Sequence, residues 1–409
     1  MPAELKPATP PSPEFALLLA CARAAVNPSV GAARVGELAR SKDLDWEKLL
    51  IVGRKHALRP LLHEQLKAAA TGLVPPAIRT RLHDVVNDNA HYSLRLTHEL
   101  LRVEAALRER GVHVIPYKGP VLAATAYRNF ATRVFLDLDI LVPPAEVPAA
   151  RAALLALGYR STPALTPRQQ AALLRSNCES SFEHQELETW IELHWRIAPV
   201  QFAVEFDVEQ GWGRTRRLAL GGGEVRTLAS EDLLLVLAVH AAKHLWQRLC
   251  WLTDVAAVLG SEPSIDWTRL MAEAERVSAL RIVLITLHLC AESLGVALPA
   301  EVNAAISADA EVNGVADAVM ADMYAEAGET SSLRTHRLLL RTRSRWRDKG
   351  RYALRVLFTP GVSEWALLSL PAPLAPLYPV IRLGRVAGKL LRGAVRTPAP
   401  LDPSARARS

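Results

Sequence analysis

From Glu14 to about Arg110 the apolar residues recur at intervals of three and four, as in Leu49, Leu50, Leu58, Leu61, Leu62 and Leu66. Alternation is scarce there, so the spacing predicts an all-helical N-terminal region over residues 15–110. A run of good helix formers from Ser93 stops at Gly111, and the β-type run VHVIPY follows. After Lys118-Gly119-Pro120 the pattern returns briefly to helix over VLAATAYR. It turns to strand from Val134 to Val142, and after Pro143-Pro144 to helix from Glu146 to Leu157, ending at Gly158. A further strand is predicted from Glu188 to Ile197, where ETWIELHWRI alternates. Ile191, Leu193 and Trp195 share one face, and Trp190, Glu192 and His194 the other. Glu224 to Thr227 is expected as an edge strand, and the glycines from Gly221 to Gly223 as a hairpin turn.

From Ser230 the chain reads as helix again. Ser230 is the expected N-cap, Glu231 and Asp232 suit the positive helix start, and the apolar run continues to Gly260, with further helices to about Ala327. The predicted organisation is a disordered Pro-rich N-terminus (1–14), a helical region (15–110), a core of strands and helices (111–228), a helical region closing a cleft (229–330), a basic helical region (331–396) and a disordered tail (397–409). This is an α+β fold, with a small mixed β-sheet embedded between N-terminal and C-terminal helical regions.

Half of the 409 residues are hydrophobic, enough for a sizeable core and two or three domains. Cys21, Cys178, Cys250 and Cys290 lie far apart, which argues against a zinc knuckle, a redox pair or a disulfide framework. The N-terminus lacks the basic start and apolar run of an export signal, so the expected location is cytoplasmic. The apolar stretch Trp365 to Leu383 holds Pro371, Pro373, Pro376 and Pro379, and no transmembrane segment is expected.

The net charge of +7 is unevenly spread. Residues 331–409 hold 16 Lys/Arg against Asp348, Glu364 and Asp402, giving +13 and leaving −6 for the rest. Arg334, Arg337, Arg341, Arg343, Arg345, Arg347, Lys349, Arg351 and Arg355 could meet RNA, an anionic membrane surface or a triphosphate, or form a solvated helix face.

Within the apolar run ending at Val142, Asp137 and Asp139 are two apart, so on a strand both carboxylates project to one face. Such a pair is a minimal cradle for hard cations such as Mg²⁺, which take oxygen ligands and keep positions open for phosphate oxygens. An edge strand with one solvated face, or an Asp137–Arg133 ion pair, would explain the same residues. Upstream, Lys118 and Gly119 close a strand and open a helix, a place that favours an anion; a plain turn is the alternative. His240, Lys243, His244, Gln247 and Asp254 recur at helical spacing and predict one polar stripe. Lys243 would face triphosphate there, or the histidines and Asp254 would satisfy each other between packed helices. A zinc pair of His240 and His244 lacks the glutamate base, since position 241 is Ala.

Taken together, KGPVLAATAY, an arginine, FLDLDILV, ALGY, IELHW and then HAAKH and LTDV are similar to the uncharacterised bacterial nucleotidyltransferase family of the DNA polymerase β superfamily. The likeness runs from about Asp45 to Leu383. It implies transfer of a nucleoside monophosphate from a nucleoside triphosphate, with Mg²⁺, or Mn²⁺ in its place, held by Asp137 and Asp139. Lys118, Gly119 and Arg133 fall on the family's nucleotide-binding positions. The wider superfamily has Gly-Ser at the phosphate turn, and Gly119-Pro120 lacks that hydroxyl. A third carboxylate, completing the metal site or serving as base, is expected on a neighbouring strand, and Glu192 with His194 beside it is the candidate. The acceptor, whether small molecule, protein or RNA, is left open. Two other classes compete: a catalytically inactive protein of this fold binding RNA or another polyanion through residues 334–355, and a peripheral membrane protein anchored by Trp365 to Leu391 beside Arg382, Arg385, Lys389 and Arg392.

Overall fold

The computed structural model describes residues 10–262, 264–325, 332–361, 364–365, 370 and 372–391. Five helices come first: α1 (Pro13–Val26), α2 (Pro28–Leu38), α3 (Trp46–Lys55), α4 (Arg59–Ala69) and α5 (Pro76–Glu109). Helix α1 begins inside the stretch expected to be disordered. Ser12 caps it by accepting from the Phe15 N–H, and the buried Glu14 carboxylate takes the Asp45 N–H and the Lys48 ammonium at 2.9 Å. Residues 1–9 of that stretch, and the expected tail 397–409, lie outside the described residues.

Helix α5 starts well before Ser93, because its first half, with only Ile78 and Leu82 buried, is held by polar contacts that periodicity does not register. Asn89 donates to the carbonyls of Ala131 and Arg133, at 2.8 and 3.1 Å, and the Tyr92 hydroxyl donates to that of Leu136 at 3.0 Å. These bonds fix the backbone leading into Asp137.

The strands are β1 (Ile115–Pro116), β2 (Asp137–Leu141), β3 (Arg160–Thr162), β4 (Glu179–His184), β5 (Thr189–His194), β6 (Arg216–Leu220) and β7 (Gly223–Thr227). The first five form one sheet in the order β1-β2-β5-β4-β3. The β2/β5 pair is parallel, with Asp139 opposite Glu192 and Leu141 opposite His194; the other pairs are antiparallel. Strands β3 and β4 escape the sequence pattern since Phe182 is their one fully buried side chain. The 224–227 strand is not an edge of this sheet. It pairs with β6 in a separate ribbon, across a turn where Gly221 and Gly222 take φ of 56° and 86°.

One face of the sheet is apolar. Leu138, Ile140, Ile191, Leu193 and Trp195 pack with Leu96, Leu100 and Val103 of α5 and with Ala150 and Leu154 of α7 (Val147–Ala156), the helix that follows the short α6 (Pro120–Leu122). The other face meets the helices after residue 229. In chain order, α8 (Pro167–Ser176) and α9 (Val208–Gly213) come between α7 and those helices.

The apolar run beginning at Ser230 is two helices, α10 (Ser230–Lys243) and α11 (Leu249–Ser261). The chain reverses between them with positive φ at Leu245 and Trp246, and the buried Trp246 indole donates to Thr286 at 2.9 Å. Ser230 is the first residue of α10 and makes no side-chain capping bond; Ala229 is the N-cap. Then come α12 (Trp267–Arg276), α13 (Leu280–Leu289), α14 (Ala300–Ala308) and α15 (Ala310–Tyr324).

The basic C-terminal region contributes α16 (Ser332–Arg341), α17 (Trp346–Phe358) and α18 (Tyr378–Leu391). Its arginines are not simply a solvated face. Arg334, Arg341, Arg345 and Arg355 pair with Asp322, Glu311, Glu275 and Glu205. Arg343 is fully buried, donates to the Phe202 carbonyl at 2.7 Å and lies over the Phe202 and Tyr352 rings. The stretch from Trp365 to Leu391, weighed as a competing membrane anchor, is described only in part. Trp365 is buried, and Arg382 and Arg385 are drawn to the buried Glu364 carboxylate rather than outward. Among the described residues no helix is long and apolar enough to cross a membrane.

Candidate active site

Alternation along β2 sends Leu138 and Ile140 into the apolar core and leaves Asp137 and Asp139 on the face toward α10. Lys118, in the turn after β1, places its ammonium 2.8 Å from Asp139 Oδ1. Both side chains are nearly buried. The turn itself requires glycine: Gly119 has φ of 51°, and a Cβ there would come within 3.3 Å of the Asp137 carbonyl oxygen. Helix α6 beyond it is three residues long and continues as a π-helical turn, Ala123–Tyr127.

On β5, Glu192 and His194 occupy the same face. His194 Nε2 lies 3.2 Å from Asp139 Oδ1 and 3.3 Å from Glu192 Oε2, while Nδ1 lies 3.3 Å from Glu179 Oε2. Glu179, brought opposite His194 by the β4/β5 register, also meets Lys243 at 3.3 Å and accepts from the Cys178 thiol at 3.2 Å. Nothing in the sequence marks it: ESSFEH carries no clear strand pattern, and its position depends on pairing.

The electrostatics follow from crowding. Burial, with Asp139 and Glu192 alongside, pushes the Asp137 carboxyl well above the usual range. Burial would also raise Asp139, but Lys118 and the hydrogen bond from His194 outweigh it and hold that carboxyl low. Burial likewise opposes charge on His194, yet its bonds to Asp139, Cys178 and Glu192 raise it well above the ordinary value and keep it cationic. His240 is held well below the ordinary value by burial and by Lys118, His244 and Lys243. It is therefore neutral, and its Nδ1, 3.2 Å from Lys118, accepts from the ammonium.

Four of the five polar residues expected on one stripe fall into three groups, since the chain reverses between α10 and α11. His240 and Lys243 turn toward the carboxylates, at Lys118 and Glu179 respectively. His244 packs against Trp251 and His240, with ring centroids 5.1 and 4.9 Å apart. Asp254 neither meets the histidines nor leaves Arg133 to Asp137. It takes Arg133 Nε and Nη2 at 2.8 and 2.9 Å and accepts from the Tyr127 hydroxyl at 2.8 Å.

The donor set suits a hard divalent cation. Asp139 and Glu192 bring carboxylate oxygens within 4.8 Å of each other, and Asp137 lies on the same face of β2. A bound cation would favour the ionised form of Asp137, which burial and then the neighbouring Asp139 and Glu192 disfavour.

A family model described as an uncharacterised nucleotidyltransferase matches residues 42–295. That span takes in every residue of the site and stops before the basic C-terminal region, short of the Leu383 expected from the sequence. No curated protein matches the chain, and no solved structure does.

Proposed function

This chain belongs to the uncharacterised nucleotidyltransferase family, and we propose that it moves a nucleoside monophosphate from a nucleoside triphosphate to an acceptor hydroxyl in a Mg²⁺-dependent reaction. The observation that carries this reading is the register of β2 on β5, which puts Asp139 beside Glu192 with Asp137 one pleat away, under the Lys118-Gly119 turn. Asp137, Asp139 and Glu192 would hold the Mg²⁺, or Mn²⁺, and the bound ion would supply charge neutralisation at the phosphoryl oxygens.

The chain's own residues do the rest by position. The bare Gly119 backbone lets phosphate oxygens approach closely, and Lys118, already pointing into the carboxylate cluster, is placed to share its charge with the β- and γ-phosphates. Lys243 is a second cation on the α10 side. Arg133 is a positioning residue in this reading. Its guanidinium is taken up by Asp254, and its Nη1 lies 3.5 Å from the Gly119 carbonyl, so it braces the phosphate turn. The acceptor oxygen attacks the α-phosphorus, the bond to the bridging oxygen breaks and pyrophosphate leaves. Glu192 would complete the metal site or, in its place, take the hydroxyl proton. A catalytically silent polyanion binder is the weaker reading, because Arg341, Arg343, Arg345 and Arg355 are engaged within the fold.

Calorimetric titration of the four nucleoside triphosphates, with and without Mg²⁺, tests the proposal. Wild-type protein should bind one or more of them only with Mg²⁺, and Asp137→Asn/Asp139→Asn should abolish that heat. Failure of folded wild-type protein to bind any triphosphate would sink the reading.

A further inference from the structure

Helix α17 has two apolar faces, and among the described residues only one has a partner. The inner face carries Tyr352 and Val356, both buried, together with Asp348, which accepts from the Ser278 hydroxyl at 2.9 Å. The outer face carries Trp346, Gly350, Leu354 and Phe358, spaced by four and so stacked along one side. Trp346 is 78% exposed, Leu354 60% and Phe358 46%. An exposed tryptophan in line with exposed leucine and phenylalanine is a patch of the kind that marks an interaction surface.

We propose that this outer face of α17 docks the protein on an anionic lipid surface. Charge selects that occupant. Arg347 and Arg351, each one residue beyond Trp346 and Gly350, flank the apolar stripe and are exposed, as is Lys349. The one acid in α17, Asp348, is turned inward and buried, so the outward charge is of one sign. Residues 331–409 together carry +13 against −6 for the remainder, so the excess positive charge of the chain lies in the region that contributes this face. The arginines that bind Glu205, Glu275 and Glu311 hold α16 and α17 to the body of the protein and are separate from this stripe.

Chemistry separates lipid from nucleic acid. A phosphate backbone would be matched by the arginines alone, with no use for Leu354 and Phe358, whereas a headgroup layer over acyl chains uses both halves of the pattern. The Trp346 ring, with the Arg347 guanidinium 5.7 Å from its centroid, has the apolar body and polar edge that suit the boundary between those layers. Helix α18, whose companion bond runs from Arg382 Nε to the Val356 carbonyl at 2.6 Å, exposes Val380 and Leu383 as well. The surface would be bound, not crossed.

The test is flotation of the full chain with vesicles of phosphatidylcholine alone, or of phosphatidylcholine with phosphatidylserine. The protein should float with the anionic vesicles only. Trp346→Ala/Leu354→Ala and Arg347→Glu/Arg351→Glu should each reduce the bound fraction by about tenfold at low salt. Because these side chains are exposed, both variants should keep the wild-type circular dichroism. In a second readout, anionic vesicles should shift tryptophan emission to the blue, and the shift should be lost in Trp346→Phe. Absence of wild-type flotation overturns the proposal, as does equal flotation of the variants. Two other outcomes also overturn it: the variants losing heparin or RNA binding while vesicles are ignored, or the face holding two copies of the chain together.

Discussion

Arg133 and Asp254, one before β2 and the other in α11, meet in a two-point ion pair that is almost closed to solvent. It joins the sheet's entry to the helical region opposite. Such a pair gains little over a well-packed apolar substitute, but removing one partner strands the other charge, at a cost of about 3–5 kcal/mol.

Asp254→Ala is therefore expected to lose about 3–5 kcal/mol in urea denaturation, and Asp254→Leu/Arg133→Met to regain much of that loss. The double variant should still bind triphosphate more weakly than wild type, since the brace on the Gly119 turn is gone. If the single and double variants are equally unstable, the loss comes from packing and not from a stranded charge.

Gly119→Ala tests the phosphate turn. Gly119 has φ 51° and ψ −124°, outside the left-handed helical well that side chains can share, so holding alanine there costs on the order of 1–3 kcal/mol, and its methyl would crowd the Asp137 carbonyl. The expected result is a modest fall in stability with a disproportionate fall in triphosphate affinity, measured by calorimetry. Unchanged affinity would remove Gly119 from the nucleotide site.

His194 gives a pH signature. Its folded pKa lies above the unfolded value near 6.5, so the stability from its bonds to Asp139 and Glu192 is fully present below pH 6.5. It is lost as pH rises through the folded value. Asp139 behaves in the opposite sense: its depressed pKa contributes stability above about pH 4, lost only in strong acid. Denaturation midpoints of wild type should thus fall on the alkaline side, and those of His194→Gln should be flatter there. Parallel curves would show that the imidazole is not cationic in the folded protein.

The pair Asp137 and Asp139 was legible because charge at every second position of an apolar strand is costly without a purpose, and Glu192 because ETWIELHWRI alternates so cleanly. Both readings use local periodicity together with the resemblance that places acidic residues at these positions. What escaped depends on distant pairing. Glu179 enters the site through strand register, and no pattern in ESSFEH announces it. The turn at Leu245 and Trp246 has no glycine or proline to signal it, so residues at helical spacing looked like one stripe. The C-terminal arginines showed their charge but not their partners, which lie in α12, α15 and the segment before α9.

Helix α5 has a consequence for where this protein can be divided. Its first half buries Ile78 and Leu82 with the helical core, and its second half buries Leu96, Leu100 and Val103 beneath the sheet. At 34 residues it is a continuous rod of about 50 Å shared by both cores. A chain starting at Gly111 would keep every carboxylate of the site while uncovering the apolar side of the sheet. It would also release the backbone that Asn89 and Tyr92 hold in front of Asp137. The smallest unit that can stand alone therefore includes a large share of helix that never touches the chemistry.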